Sequence, residues 1–257
     1  LARDRYGIKP LYWLKRTGVI LFGSEVRSII EALDQSPGIC YEGLHEYMTF
    51  MNFISEKTLI NEVEMFPPGY YATCKINDNS LKIDLVQYWD FNFDDREEMK
   101  IKDIKELCKD MVDEAIQHSL IADVEVGHYL SGGIDSGLIA GMRSGGKKRF
   151  KTFTCGFDLR NVAEEEKRYD ERNRAEEIAA KVGSEHYEIV LKAIDMENAM
   201  NKVGWHIEEP RVGQSYPNYY AAKLASKFVK VVLAGTGSDE IFGGYPWRYL
   251  NDKNITE

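Results

Sequence analysis

Residues 128–141 read HYLSGGIDSGLIAG, and the reading of this stretch decides the fold. The apolar run Val124–Leu130 that leads into it has the character of a buried strand. Ser131, Gly132 and Gly133 let the backbone turn sharply and come close to a ligand. Asp135 and Ser136 stand where a helix should begin, and Leu138 and Ile139 continue it. A helix N-terminus carries free N–H groups and a partial positive charge, so this turn suits an anion. Asp135 would repel a phosphate there unless a divalent cation lay between them. The turn therefore reads as a pyrophosphate cradle, with Mg2+ bridging Asp135 to the phosphates. It is not a Walker A loop, because the Gly-Lys-Ser/Thr ending is missing.

On either side of this turn, from about residue 100 onward, strand and helix patterns alternate. The expected strands are Glu125–Leu130, Lys151–Phe157, His186–Leu191 and Val229–Ala234. The expected helices are Asp135–Met142, Asp170–Val182, Ile194–Gly204 and Pro217–Phe228. Such alternation predicts an α/β fold with a parallel sheet and helices on both faces, in which ligands sit beyond the carboxyl ends of the strands. A second motif falls at such an end. In VVLAGTGSDEIFGGYPWRY, 231–249, an apolar strand runs into Gly235, Thr236 and Gly237, and Asp239 offers a second carboxylate to the same cation. In KTFTCGF, 151–157, Gly156 would let the backbone pass close to a flat ring, and Cys155 reads as a small packing residue. Asn161–Arg174 is a charged loop leading into a helix that Asp170 would cap. Glu208 and Glu209, before the Tyr216–Pro217 turn, are candidates for the substrate end of the pocket or plain solvated acids.

The front of the chain differs. LYWL, VILFG, YYATCKI and LVQYW are short strand-like runs separated by turn residues. Ser24 is the expected cap of a short helix over Glu25–Leu33, and Tyr41–Met51 is a second helical segment. Asp90–Met99 is acidic and aperiodic and marks the domain boundary. A helix over about Ile101–Leu120 follows, with Ile104, Leu107, Cys108, Met111, Val112, Ala115 and Ile116 on one face for burial.

Composition narrows the function classes. Of 257 residues, 33 are basic and 42 acidic, a net charge of −9, which disfavours general nucleic-acid binding. Apolar residues make up 44% and aromatic ones 12%, enough for a real core. No run of 18 apolar residues predicts a membrane span, and the opening LARDRYGIKP has no signal-peptide pattern. The chain lacks a starting Met and reads as a trimmed or partial product. Cys40, Cys74, Cys108 and Cys155 form no CxxC pair and read as reduced thilols of a cytoplasmic protein rather than a metal site.

SGGIDS resembles the PP-loop of the ATP pyrophosphatases, which cut ATP between its α and β phosphates and activate a substrate as its adenylate. RDRYGIKPLYW followed by LFGSEVRSII resembles the closing part of a class II glutamine amidotransferase, an N-terminal-nucleophile glutaminase of αββα fold. SGGIDS, TFTCGF and GTGSDEIFGGY together resemble the synthetase domain of the glutamine-dependent asparagine synthetase family, in the correct order along nearly the whole chain. The resemblance implies two domains: 1–92 as the C-terminal part of the glutaminase, and 93–257 as the N-terminal part of an α/β parallel-sheet PP-loop synthetase domain.

It further implies that Leu130, Cys155, Gly156 and Gly235 contact the adenylate, with Asp170 near the nucleotide. Ser131, Gly132, Gly133, Asp135 and Ser136 hold pyrophosphate, and Asp135 and Asp239 hold Mg2+. Asp4 receives the glutamine α-amino group, and Tyr245 lies at the acyl-adenylate pocket. One position departs from the family: where asparagine synthetases read GEGSDE, with a Glu thought to deprotonate ammonia, this chain has Thr236, which is no general base near neutral pH. The expected activity is ATP-dependent amidation of a carboxylate, aspartate to asparagine, with ammonia from glutamine. Another acceptor, such as a cell-envelope sugar acid or natural-product precursor, is the alternative, and a nucleotide-binding regulatory homologue the third reading. The expected partners are these small molecules, with neither nucleic acid nor membrane; a homodimer is compatible with them.

Overall fold

Strand β1 (Tyr12–Arg16) is buried on both faces over its first three residues. Tyr12 and Leu14 meet Val26 and Ile29 of helix α1 (Val26–Ile30) and Val63 of β3 (Val63–Met65). Trp13 turns the other way, onto Phe66 and Ala72, with its ring 4.7 Å from that of Phe66. This is the period-two alternation of a strand. β1 pairs antiparallel with β2 (Val19–Gly23) and with β3, in the order β2-β1-β3. A second antiparallel pair joins β4 (Tyr70–Asn77) to β5 (Ser80–Gln87), and helix α2 covers Tyr41–Phe50. The computed structural model describes residues 1–77, 80–93, 99–144, 149–160, 170–209 and 215–245.

The chain forms two units, Leu1–Glu98 with Asn201–Gly213, and Met99–Met200 with Gln214–Glu257. The first is discontinuous in sequence, and side chains near residue 208 show how its later piece is held. The Glu208 carboxylate accepts the N–H groups of Val26 at 2.7 Å and Arg27 at 3.3 Å, and Arg27 Nε stands 3.4 Å from it. Arg27 also lies over the Trp205 ring, 4.1 Å from its centroid, and Tyr12 donates its hydroxyl to Glu209 at 2.9 Å. Three expectations differ from the structure. Ser24 is not the cap of α1: Glu25 occupies the N-cap position without a side-chain cap bond, and Glu208 satisfies the first-turn amides. Glu208 and Glu209 are therefore not plain solvated acids but are held by partners within the first unit. α1 also stops at Ile30, and the chain runs on to Leu33 through Ala32 N–H to Ile29 O and Leu33 N–H to Ile30 O bonds, each spanning three residues.

The second unit is the α/β body. Its strands β6 (Val126–Tyr129), β7 (Lys151–Phe157), β8 (Glu185–Leu191) and β9 (Val231–Leu233) form one parallel sheet in the order β8-β7-β6-β9. The chain moves outward from β6 to β8 and then returns to add β9 on the other side of β6. Such a reversal opens a crevice at the carboxyl ends of β6 and β9. Among the described residues the helices are α3 (Ile101–Ser119), α4 (Ile134–Arg143), α5 (Arg172–Val182), α6 (Ala193–Ile207), α7 (Ser215–Ala225) and α8 (Ser238–Phe242); residues 201–207 of α6 belong to the first unit. Leu130, Ala140, Phe150, Ala175 and Ala179 make one core cluster, and Phe153, Ala225 and Val229 another. The small alanines let α4 and α5 pack closely.

Helix α3 forms where its periodicity predicts, but its apolar stripe is largely unburied. Ile116 is buried, while Ile104 is 41% and Met111 60% exposed. Periodicity predicts a stripe and says nothing of its partner. Among the described residues no helix is long and apolar enough to cross a membrane, and all four cysteines are free thiols.

Candidate functional site

The crevice between β6 and β9 holds both Gly-rich motifs. After β6 the chain turns at Gly132, whose φ of 80° is a left-handed conformation, and enters α4 with Gly133 at the N-cap. No side chain caps α4. Its first helical bond is donated by Gly137 to the Gly133 carbonyl at 3.0 Å, so the amides of Ile134, Asp135 and Ser136 precede the helical ladder. The turn is braced from within. Ser131 N–H donates to Ser136 Oγ at 3.1 Å, the two hydroxyls are 3.0 Å apart, and Ser136 Oγ reaches Gly133 O at 3.3 Å. Ser131 and Ser136 thus shape the cradle. A Cβ on Gly132 would stand 2.7 Å from Glu171 O and 2.9 Å from Arg174 Cβ, so the first turn of α5 presses directly on the cradle.

The second motif meets the first at Gly235. A Cβ there would lie 2.9 Å from Asp135 Cβ and 3.3 Å from Ser136 N, which only glycine accommodates without a shift. Ser238 closes the loop, donating its hydroxyl to Gly235 O at 3.0 Å, and α8 then carries Asp239 and Glu240 in its first turn. The Gly244 N–H donates to Asp239 O at 2.9 Å, and Tyr245 donates its hydroxyl to Glu240 at 2.8 Å. Thr236 is exposed at the tip of the loop. Burial, followed by the charges of Asp239 and Glu240, pushes the Asp135 carboxyl above its ordinary range. Gathered carboxylates of this kind fit a hard divalent cation with oxygen ligands. Among the described residues no group of three or more His, Cys, Asp or Glu side chains is placed to hold a metal ion. Glu240 was not singled out in the sequence; its place beside Asp239 in the SDE triplet was the available signal.

The end of β7 is covered by a packed side chain. The space over Gly156 is filled by Arg172, whose Cδ would be 2.2 Å from a Cβ at that position. Arg172 in turn grips Asp170 through Nε at 2.8 Å and Nη2 at 2.7 Å, and its Nη1 is 3.5 Å from Glu188. The hydrogen bonds from Arg172 hold the Asp170 carboxyl below its usual range. Asp170 also accepts the Arg172 N–H at 3.1 Å, as a capping residue does, although Glu171 is the N-cap of α5. Gly156 therefore has a side chain packed over it that a Cβ would displace. Arg172 was not anticipated, because the charges of 161–174 read as a solvated loop; residues 161–169 of that stretch lie outside the described residues. Cys155 is half-buried, and burial, with the Glu188 charge, pushes its thiol up to about 11. It stays a protonated packing group. Leu130 is buried in the core cluster with Ala140 and Ala175, and its carbonyl accepts the Thr154 hydroxyl. Its side chain presents no surface to the crevice.

Asp4 belongs to the first unit. Its two carboxylate oxygens accept the N–H groups of Ile8 at 2.9 Å and Lys9 at 3.0 Å. Burial opposes its charge, and the amide bonds from Lys9 and Ile8 outweigh that and hold its carboxyl below the usual range. Beside it the buried Arg3 guanidinium donates to Lys9 O at 3.0 Å, Gly7 O at 2.9 Å and Phe66 O, so the Asp4–Lys9 turn is fixed from both flanks.

A helix N-terminus with free amides at the switch point of a parallel sheet is where open α/β proteins receive anionic ligands. The comparisons narrow the class. The family model of asparagine synthase matches residues 107–256, and that of the glutamine amidotransferase domain matches residues 1–89. The chain belongs to the asparagine synthase family. It is 34% identical over 95% of its length to Asparagine synthetase [glutamine-hydrolyzing] 1 of Bacillus subtilis, and 30% identical over 95% to Amidase chyE of Penicillium rubens. It spans 37% of the length of each of these relatives. The solved structure of NMN synthetase from Francisella tularensis aligns with 58% of this chain and 59% of its own at 16% identity, with a TM-score of 0.35.

Proposed function

We propose that the whole protein makes an amide from a carboxylic acid, ATP and glutamine-derived ammonia, with aspartate as the acceptor. The observation that carries this reading is the seating of Gly235 against Asp135 and Ser136, which joins the two motifs at the mouth of the sheet. Residues 1–92 then represent the closing part of the glutaminase, with Asp4 holding the glutamine ammonium, and 93–257 the first part of the synthetase domain.

In this reading each residue has a role that its position supports. The amides of Ile134–Ser136 and the α4 dipole bind pyrophosphate oxygens. Asp135 and Asp239 would hold Mg2+, which supplies neutralisation of charge on the leaving phosphates. A substrate carboxylate attacks the α-phosphorus, the bond to the bridging oxygen of the β-phosphate breaks, and pyrophosphate departs from the cradle. Ammonia then attacks the acyl carbon, AMP leaves, and the ammonium proton passes to solvent or a base other than Thr236. The Thr236 hydroxyl offers a hydrogen bond at the loop tip, and Tyr245, tied to Glu240, flanks the acyl group. Four free thiols and an acidic balance support a cytoplasmic setting.

ATP–pyrophosphate exchange by the full-length protein, with Mg2+ and a panel of carboxylates, tests the reading. Exchange with aspartate, abolished in Asp135→Ala, is the expected result. Exchange with another acid alone replaces the substrate, which the exposed Thr236 makes worth including. Binding of ATP with no exchange for any acid overturns the enzymatic reading.

A further inference from the structure

His128 is fully buried in β6, below the cradle, and the proposed chemistry does not use it. Its ring spans the two motifs. Nε2 is 2.8 Å from the carbonyl of Ser136, in the first turn of α4, and Nδ1 is 3.2 Å from the carbonyl of Leu233, the last residue of β9. Leu233 is also its partner in the strand register, at the end of the β6–β9 ladder. We propose that His128 is a positioning residue: its ring sets the first turn of α4 against the end of β9, and so sets the spacing of the two loops that carry Asp135 and Asp239. This rests on the nucleotide-binding reading above.

The proton count gives the tie its character. Both carbonyls are acceptors, whereas a neutral imidazole has one N–H and one lone pair. The shorter contact takes the proton in the neutral ring, so Nε2–H serves Ser136 and the Nδ1 lone pair faces the oxygen of Leu233. Only the doubly protonated ring holds both. Burial first, and Arg143 on α4 in addition, oppose that second proton, while the two carbonyls favour it. Facing residues on β7 and β9, Thr152 and Leu233, carry no charge; Asp135 precedes Ser136 on α4, and Asp239 and Glu240 follow Leu233 on α8. Phosphate in the cradle adds negative charge on the side of Ser136. Drawing the motifs together around a nucleotide therefore favours proton uptake by His128.

The test is calorimetric binding of Mg-ATP to the full-length protein between pH 6 and pH 8, in buffers of differing ionisation enthalpy. Wild type is compared with His128→Gln, whose amide donates without titrating, and His128→Val, which cannot donate. Wild type should gain about fivefold or more in affinity toward pH 6 relative to His128→Gln, with proton uptake on binding. His128→Val should bind weakly at every pH, and His128→Gln should recover most of the affinity with no proton uptake. Superimposable pH profiles for all three proteins overturn the proposal. Imidazole 15N shifts provide a reading that survives poor folding of a variant: a ring in wild type that keeps a single proton from pH 5.5 to 8, with or without Mg-ATP, also overturns it. Binding without exchange for any carboxylate would sink the amidation reading alone and leave this result intact.

Discussion

Arg172 lies where the side chain of residue 156 would be: a Cβ on Gly156 would come within 2.2 Å of its Cδ and 2.7 Å of its Cγ. The guanidinium cannot swing away freely, because Asp170 grips it in a fork and Glu188 flanks it. Gly156→Ala should therefore destabilise the protein by about 1–3 kcal/mol, as overpacking does. Adding Arg172→Ala should remove most of that cost, and a double-mutant cycle by urea denaturation measures the coupling. Additive effects would mean that Arg172 is not what excludes a side chain there.

Gly132 has the opposite kind of neighbour. The obstacle to a Cβ is the backbone oxygen of Glu171, which has no rotamer to change, and its φ of 80° adds strain for any other residue. Gly132→Ala should cost about 2 kcal/mol or more. Mg-ATP binding should fall with it, because relief of the clash moves the cradle away from α5. Near-native affinity in a folded Gly132→Ala protein would show that α5 does not shape the turn.

Asp135 has a pH signature of its own. Its carboxyl lies above the ordinary value in the folded protein, so the folded state holds that proton more tightly than the unfolded chain does. The contribution to stability is present below the ordinary carboxylate range and is lost as pH rises through the raised value. At neutral pH the charged Asp135 is thus a net cost in the metal-free protein. Asp135→Asn should raise the urea midpoint at pH 7 without Mg2+, with the gain fading toward about pH 4, and should lower pyrophosphate exchange by about a hundredfold or more. An unchanged midpoint at pH 7 would contradict the cost that burial, and then the charges of Asp239 and Glu240, place on the ionised Asp135.

Glu208 pairs a strained backbone with a capping task. Its φ of 61° is unusual for a residue other than glycine, and its carboxylate serves the N-terminus of α1. Glu208→Ala keeps the strain and loses the cap, and should cost about 1–2 kcal/mol. Glu208→Gly also loses the cap but accepts the backbone conformation, and should be milder by about 1 kcal/mol. Equal losses in the two variants, measured by denaturation followed through tryptophan fluorescence, would assign the whole effect to the carboxylate.

The parallel sheet was legible because its signals are local: VEVGHYL, KTFTCGF and VVL are apolar runs ahead of turn residues, and each became a strand. The cradle was legible for the same reason, since a strand, three small residues and a helix are consecutive. What escaped depended on distant residues. Glu208 capping α1, Arg172 filling the place over Gly156 and His128 bridging Ser136 and Leu233 are relations between residues that no short window contains. His128 was visible in the opening motif, yet a histidine in a strand reads as core until its two carbonyl neighbours are known. The bare stripe of α3 is the converse case, a local pattern read correctly whose burial depended on something that the pattern does not encode.

The discontinuity of the first unit bears on the order of events at the ribosome. Domains commonly fold as they emerge, from the N-terminus onward. Here the N–H groups of α1 wait for a carboxylate 182 positions later, and the hydroxyl of Tyr12 for one 197 positions later. Helix α1 and Tyr12 cannot complete their native contacts until most of the parallel sheet has been synthesised. A nascent chain arrested after residue 150 should hold the β1–β2–β3 sheet with an unfinished α1, and protection of the Val26 and Arg27 amides should appear only once Glu208 has left the exit tunnel.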